Sequence, residues 1–305
     1  MASPDVIITS NEQCGDVALP VNPFVSNRYH FGMLLGVADL EAEQAYHRGK
    51  TWLHNAWLHG SGCVWGLEVE LRANRNEVAV DPGLAVDGHG RELHVSDVMC
   101  LDITRWYNER RPEDLEVTDN GDGTFSFTVH VELCHDSCLD RPVPSIAEPC
   151  EGGSQDTAYS RAVERGLPRL VGGPVPDAPA PLYPLVRQFL GQLPVDDDRV
   201  TTAVDDVNAA DPADRPAVAL RWFRRLAAAD TMNLAPEEGA GAWSPLAGDG
   251  CVPLAQLEVH LRDDDGTLSV VVDADQASTV DNLVRPTLLR TAAIQELHAH
   301  LPFIS

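Results

Sequence analysis

The chain has 305 residues, with 22 Lys or Arg against 47 Asp or Glu, and a formal net charge of −25. Its length suits about two domains, and its hydrophobic fraction of 44% excludes global disorder. The acidic charge disfavours nucleic acid and anionic membrane surfaces as partners, because both are bound through clustered basic side chains.

The start of the chain does not resemble a secretory signal. Residues 1–9 lack a basic region followed by a long apolar run. No apolar stretch approaches the ~18 residues that cross a bilayer, so we expect no direct membrane insertion. The sequence therefore predicts a cytoplasmic protein, in which the seven cysteines would be mainly thiols.

Residues 1–36 are predicted to form an extended N-terminal arm. Pro20 and Pro23 exclude a helix, and the apolar residues are too few for a separate core. We expect this arm to become ordered only by lying on another protein. Its predicted partner-binding anchors are the apolar side chains Val6, Ile7, Ile8 and Phe24.

Residues 37–138 are predicted to form a helix packed on a small antiparallel β module. Asp39 is a candidate N-cap, and Gly60 marks the end of the helix. From residue 63 to residue 103, apolar side chains alternate in short runs, which predicts strands, and a strong strand follows at 124–133. The helix is predicted to face the core through one stripe, formed by Tyr46, Lys50, Leu53 and Trp57.

The rest of the chain is predicted to be a connector and a second module. Residues 139–184 are rich in proline and read as a connector without regular structure. Residues 185–305 read as a mixed α/β module, with a hairpin whose turn is at 263–266. The predicted fold class is therefore α+β. Helices are expected at residues 182–193, 217–229 and 283–301.

The cysteines at the end of the predicted strand suggest a metal site. Cys134, Cys138 and Cys150, together with His135, offer three thiolates and one imidazole, which suit a tetrahedral structural zinc. The spacing is looser than in a paired C-x2-C ribbon. A disulfide and unlinked thiols therefore remain open alternatives.

No local motif predicts catalysis. The sequence contains no nucleophile elbow, no His-Glu-x-x-His helix and no phosphate-binding Gly-x4-Gly-Lys loop. The glycines of residues 60–66 follow a helix and precede a strand, the reverse of a dinucleotide site. Histidines around the first helix are expected to be structural or solvated rather than metal ligands; they are His30, His47, His54 and His59.

Three segments resemble a family of structural components of bacterial contractile injection systems, the phage-tail-like particles. Residues 27–44 read N-R-Y-H-F-G-M-L-L-G-V-A-D-L-E-A-E-Q, and residues 80–93 read V-D-P-G-L-A-V-D-G-H-G-R-E-L. Between them, residues 53–69 resemble the family pattern L-x-N-x-x-x-H-G-x-G-V-V-x-G-L-x-V. The chain departs from that family at Met33, where lysine is frequent, and at Trp65.

The resemblance implies a non-enzymatic structural or adaptor subunit near the cap or the baseplate of such a particle. Its partners would be sheath, tube, cap or baseplate proteins, with several copies in a ring and release of the particle by lysis. One alternative is a zinc-dependent effector enzyme carried by the particle. Another is a fibre-like surface-binding module, in which exposed tryptophans would line a groove.

Overall fold

A computed structural model describes residues 6–7, 19–144, 157–177, 182–238, 244–245, 250–272 and 278–300. The fold is α+β, as the sequence predicts. The chain divides into two compact units. Unit 1 consists of Met1–Val175 and Glu237–Ser305, and unit 2 is Pro176–Pro236.

The principal helix of unit 1 is α1, Val37–His54, which continues into a π-helical turn at Asn55–His59. Its N-cap is Gly36, whose backbone N–H donates to the Asp39 carboxylate at 2.8 Å. Asp39 therefore caps the helix from its first turn rather than from the predicted N-cap position. Two further helices of unit 1 are α2, Ile103–Glu109, and α6, Thr291–His300.

Two small sheets are formed by strands that follow α1 in the chain, together with β1, which precedes it. The first has the strand order β1-β7-β4-β3 and the second has the order β2-β5-β6. The strands are β1 Val6–Ile7, β2 Gly62–Gly66, β3 Val69–Arg72, β4 Glu77–Val80, β5 Gly83–Val86, β6 Glu92–Val95 and β7 Met99–Asp102. They confirm the short strands that the alternating pattern predicts for residues 63–103.

The largest sheet has the order β10-β9-β11-β12, with β8 paired to β9 and β13 paired to β11. The predicted hairpin around residues 263–266 is confirmed as β11 and β12. Leucine and valine side chains of β9 and β11 lie at the centre of the core of unit 1. The strands are β8 Val117–Asp119, β9 Thr124–Pro144, β10 Thr157–Gly172, β11 Val252–Asp264, β12 Thr267–Val270 and β13 Thr279–Asp281.

The prediction of an irregular connector at 139–184 is wrong over much of its length. Strand β9 continues to Pro144 and pairs antiparallel with β10, from Thr157 opposite Pro144 to Gly172 opposite Val129. Strand β10 is at the edge of its sheet. An edge strand tolerates Pro168, because one side of its backbone needs no ladder partner.

The predicted second module, 185–305, is also divided differently. Unit 2 contains three helices, α3 Pro184–Phe189, α4 Asp198–Ala209 and α5 Arg215–Asn233. The later strands β11 to β13 belong to unit 1 instead, because β11 pairs with β9 along its length. Unit 2 has its own core, formed around Leu185, Val186, Val200, Ala203 and Leu226.

The first part of the predicted arm lies on the protein's own fold. Strand β1 runs parallel to β7, with Val6 opposite Met99 and Ile7 opposite Cys100. The expectation that Val6 and Ile7 become ordered only on a partner is therefore wrong. Ile8 lies outside the described residues.

Candidate protein-binding surface and cysteine cluster

Eight exposed apolar side chains lie within residues 24–40, which we call the docking segment. Leu34 is 92% exposed and Phe31 is fully exposed. Exposed apolar side chains that are concentrated in one segment favour an interaction site, whereas single exposed apolar residues are ordinary. The exposed apolar members are Phe24, Val25, Tyr29, Phe31, Leu34, Leu35, Val37 and Leu40.

The chain just before the docking segment is fixed to α1. Asn22 donates its backbone N–H to the Ala45 carbonyl at 3.1 Å, and Arg48 donates to the Pro20 carbonyl at 2.8 Å. Pro23 packs so closely on Gly49 that a Cβ there would lie 2.7 Å from the proline nitrogen. The segment is thus held at its start while its apolar side chains face solvent.

Phe24 is the one predicted anchor whose side chain the structure describes, and it belongs to this surface. It is 65% exposed, and the Lys50 ammonium lies 5.4 Å from the centre of its ring. Phe31 and Leu34 were not predicted as anchors from the sequence. Both lie within residues 27–35, N-R-Y-H-F-G-M-L-L. The apolar residues there follow neither helical nor strand periodicity, and this is the sequence feature that could have indicated a binding surface.

Acidic side chains accompany the docking segment where it enters α1. Asp39, Glu41 and Glu43 follow one another at alternate positions, and Glu43 pairs with His47 at 3.1 Å. Residues two apart in an α-helix do not face the same side, so Asp39 and Glu43 share one side of α1 whereas Glu41 points away from them.

The cysteines form a different cluster from the one predicted. Cys134 of β9 is disulfide-bonded to Cys251, which directly precedes β11. The Arg169 guanidinium donates to both sulfurs, through Nε to Cys134 at 2.8 Å and through Nη2 to Cys251 at 2.7 Å. The Glu132 carboxylate lies 3.4 Å from the same guanidinium.

The predicted zinc ligands do not come together among the described residues. Cys138 is itself disulfide-bonded, and Cys150 lies outside the described residues. His135 is on the opposite face of β9 from Cys134 and Cys138, because side chains alternate along a strand. Its ring lies 6.2 Å from that of Trp52 on α1.

A different possible metal-binding group is present. The ligand atoms of Glu132, Cys134 and Cys251 lie within 4.8 Å of one another. Cys251 was not predicted for this site, because the pairing of cysteines distant in sequence cannot be deduced from the sequence alone. The disulfide also shows that the expectation of thiols is wrong for Cys134 and Cys138.

The D-G-H-G-R motif, the centre of one resembling segment, is structural. Asp87 is fully buried and accepts from the backbone N–H groups of His89 at 2.9 Å and Arg91 at 2.8 Å. Its other oxygen pairs with Arg91 Nε at 2.5 Å. Gly90 has a φ of +85° and lies against the Trp52 carbonyl of α1. The motif therefore closes the β5–β6 turn against the helix.

The tryptophans proposed for a binding groove have separate roles. Trp106 is buried and donates to the Leu170 carbonyl at 2.9 Å, and Trp222 donates to Asp206 at 3.0 Å. Trp57 and Trp65 are partly exposed, and Trp243 lies outside the described residues.

The sequence matches no protein-family model and no curated protein. In the described part of the chain, every helix is too short or too polar to span a bilayer.

Proposed function

We propose that the protein is a non-enzymatic structural adaptor of a phage-tail-like contractile injection system, attached to another subunit through its docking segment. The observation that carries this proposal is the fixed segment that presents Phe31 and Leu34 to solvent. Both residues lie within residues 27–44, one of the segments that resemble the injection-system family.

Burial of these side chains would supply a useful binding energy. A leucine or phenylalanine that passes from water into an apolar pocket contributes about 1.5–3 kcal/mol. The bound geometry is partly prepared, because Asn22 and Arg48 already hold the start of the segment on α1. Less conformational entropy is then lost when the partner binds.

The partner surface that fits is an apolar groove with a basic border. The groove would receive Phe31 and Leu34, and the basic border would face Asp39 and Glu43, which lie one turn apart on the same side of α1. Complementary charge of this kind raises the association rate and selects the partner. A sheath, tube, cap or baseplate subunit with such a groove is the proposed occupant, with several copies of this chain in a ring near the cap or baseplate.

The disulfide is compatible with the proposed life cycle. The protein would be made in the cytoplasm, assembled into the particle and released by lysis. Disulfides persist in an oxidising medium outside the cell. The bond between Cys134 and Cys251 would then stabilise the released particle rather than the newly made chain.

The test replaces Phe31 and Leu34 together with alanine in cells that assemble the particle. We expect the wild-type chain to cosediment with sheath and tube proteins. Loss of about 3 kcal/mol of apolar burial would weaken incorporation about 100-fold. The matched control is Leu283→Ala, since Leu283 is 94% exposed but lies outside the segment.

Two outcomes would contradict two separate parts of the proposal, the adaptor role and the attachment site. A wild-type chain that sediments only as a free protein beside assembled particles would exclude an adaptor role. Normal incorporation of the double variant would exclude the docking segment as the attachment site.

A structural zinc is proposed for the reduced protein only. In the disulfide the two sulfurs carry no charge, whereas two thiolates and the Glu132 carboxylate are ligand types that zinc accepts. Arg169 would compete with the metal for the same sulfurs. Disulfide and zinc are therefore mutually exclusive states of this cluster.

Elemental analysis of reduced and oxidised protein separates the two states. We expect zinc in the reduced chain that is lost on oxidation and lost in Cys251→Ser. The control Cys63→Ser changes a buried free thiol and should leave the zinc content unchanged. Reduced protein with the same zinc content as Cys251→Ser would rule out this site.

A further inference from the structure

Two exposed histidines meet at the π-helical turn that follows α1. The Nε2 atoms of His54 and His59 lie 3.1 Å apart, and the ring centres are 5.0 Å apart. Both histidines were predicted to be structural or solvated, since that is usual for several histidines around one helix.

The π-turn is what brings the two rings together. In an α-helix, residues five apart point about 140° away from each other around the axis. A π-turn repeats its hydrogen bonds over five residues, as shown by Gly60, whose N–H donates to the Asn55 carbonyl at 3.0 Å. The wider turn places His59 over His54. Single π-turns inside helices are frequent at functional sites.

The backbone beneath the pair is anchored to the β module. The Asn55 side chain donates to the Gly90 carbonyl at 2.9 Å and to the Glu92 carboxylate at 3.3 Å. Ala56 is buried. The two rings therefore project from a fixed turn, and little conformational freedom is lost if a ligand holds them in place.

The separation of the two nitrogens suits a chelate. Two imidazole nitrogens that each lie about 2.05 Å from one metal ion and 3.1 Å from each other subtend an angle of about 98° at the metal. This value lies between the octahedral and tetrahedral angles. Without metal, one N–H···N hydrogen bond can link the same two nitrogens, and the tautomer decides which ring donates.

We propose that His54 and His59 form a chelating site for a divalent transition metal such as Ni²⁺, Cu²⁺ or Zn²⁺. Imidazole is a preferred ligand of these ions. Both side chains are exposed, so the ion enters directly from solvent and water completes its coordination. The site is separate from the cysteine cluster and does not depend on the proposed adaptor role.

The test is a calorimetric titration of untagged, metal-free, oxidised protein with Ni²⁺, so that the disulfide removes the cysteine cluster as a competitor. We expect His54→Gln and His59→Gln each to weaken binding by about tenfold or more, since even indirect support of a metal ligand is worth that much. The matched control is His47→Gln, an exposed histidine on the same helix, which should retain wild-type affinity.

Paramagnetic Ni²⁺ provides a second measurement. It should broaden the imidazole proton signals of His54 and His59 before those of the other histidines. Wild-type protein that binds no Ni²⁺, or a His54→Gln variant with wild-type affinity, would overturn the proposal. So would equal weakening by His47→Gln, which would indicate unspecific binding to surface histidines.

Discussion

At the scale of single residues, the segments that resemble the injection-system family separate into structural and exposed positions. Asp87, Gly90 and Arg91 are used within the fold, where they close a turn against α1. Phe31 and Leu34 do not contribute to the core in this way, because they face solvent. The resembling segments therefore combine positions that build the fold with positions that are exposed to solvent.

The buried ion pair should be costly to break. Asp87→Asn removes the charge that faces Arg91 while it keeps nearly the same shape. Removal of one charge of a buried pair is strongly destabilising, so we expect the free energy of unfolding of unit 1 to fall by about 3 kcal/mol. Urea unfolding measures this loss. Asp81→Asn, at an exposed carboxylate, should change stability little; a similar loss in both variants would contradict the assignment.

At the scale of secondary-structure elements, α1 shows where sequence patterns mislead. The predicted core stripe was Tyr46, Lys50, Leu53 and Trp57, but the buried positions lie one residue earlier in each turn and include Ala45, Gly49 and Ala56. Hydrophobicity alone predicts that the large side chains of α1 face the core. The helix instead turns its small residues inward, because Pro23 and Gly90 approach its backbone closely.

The strands show a second limit of prediction from the sequence. Short alternating runs predicted β2 to β7 and the β11–β12 hairpin, because one face of each strand is buried and the other is not. Strand β10 was missed since its proline and charged residues resemble a loop, and only its place at the sheet edge makes them acceptable. The candidate docking surface was found in part, through Phe24, whereas the cysteine pairing depends on contacts distant in sequence.

Because β1 belongs to the fold, truncation of the N-terminus should lower the stability of the isolated chain. An arm that is ordered only on a partner, as the sequence predicts, would leave that stability unchanged. Deletion of residues 1–7 removes the pairing with Met99 and Cys100. Loss of roughly two net backbone hydrogen bonds should lower the free energy of unfolding by about 1–2 kcal/mol. Incorporation into the particle should be retained, because the docking segment is intact.

The double variant Phe31→Ala and Leu34→Ala provides the reciprocal control for this deletion. It should keep the stability of the isolated chain and lose incorporation. If the truncated chain instead keeps its denaturation midpoint and is incorporated weakly, the arm binds a partner rather than the protein's own sheet.

At the scale of the whole molecule, the chain leaves unit 1 after Val175, forms unit 2 and returns to unit 1 at Glu237. The last strand before unit 2, β10, and the first strand after it, β11, lie on either side of β9. Unit 2 has its own core. The buried Asp230 carboxylate fixes this small core by accepting from the backbone N–H groups of Leu185 at 3.2 Å and Val186 at 3.0 Å.

We therefore expect two unfolding transitions in differential scanning calorimetry, since each unit has a separate core. Asp230→Ala leaves two buried N–H groups without their acceptor, at about 1–3 kcal/mol each, and should lower the midpoint of the unit 2 transition by about 10 °C or more. The unit 1 transition should stay in place. Asp87→Asn should lower the midpoint of the unit 1 transition and leave the unit 2 transition in place. If either substitution shifts both transitions equally, the two units unfold as one cooperative body and the division is wrong.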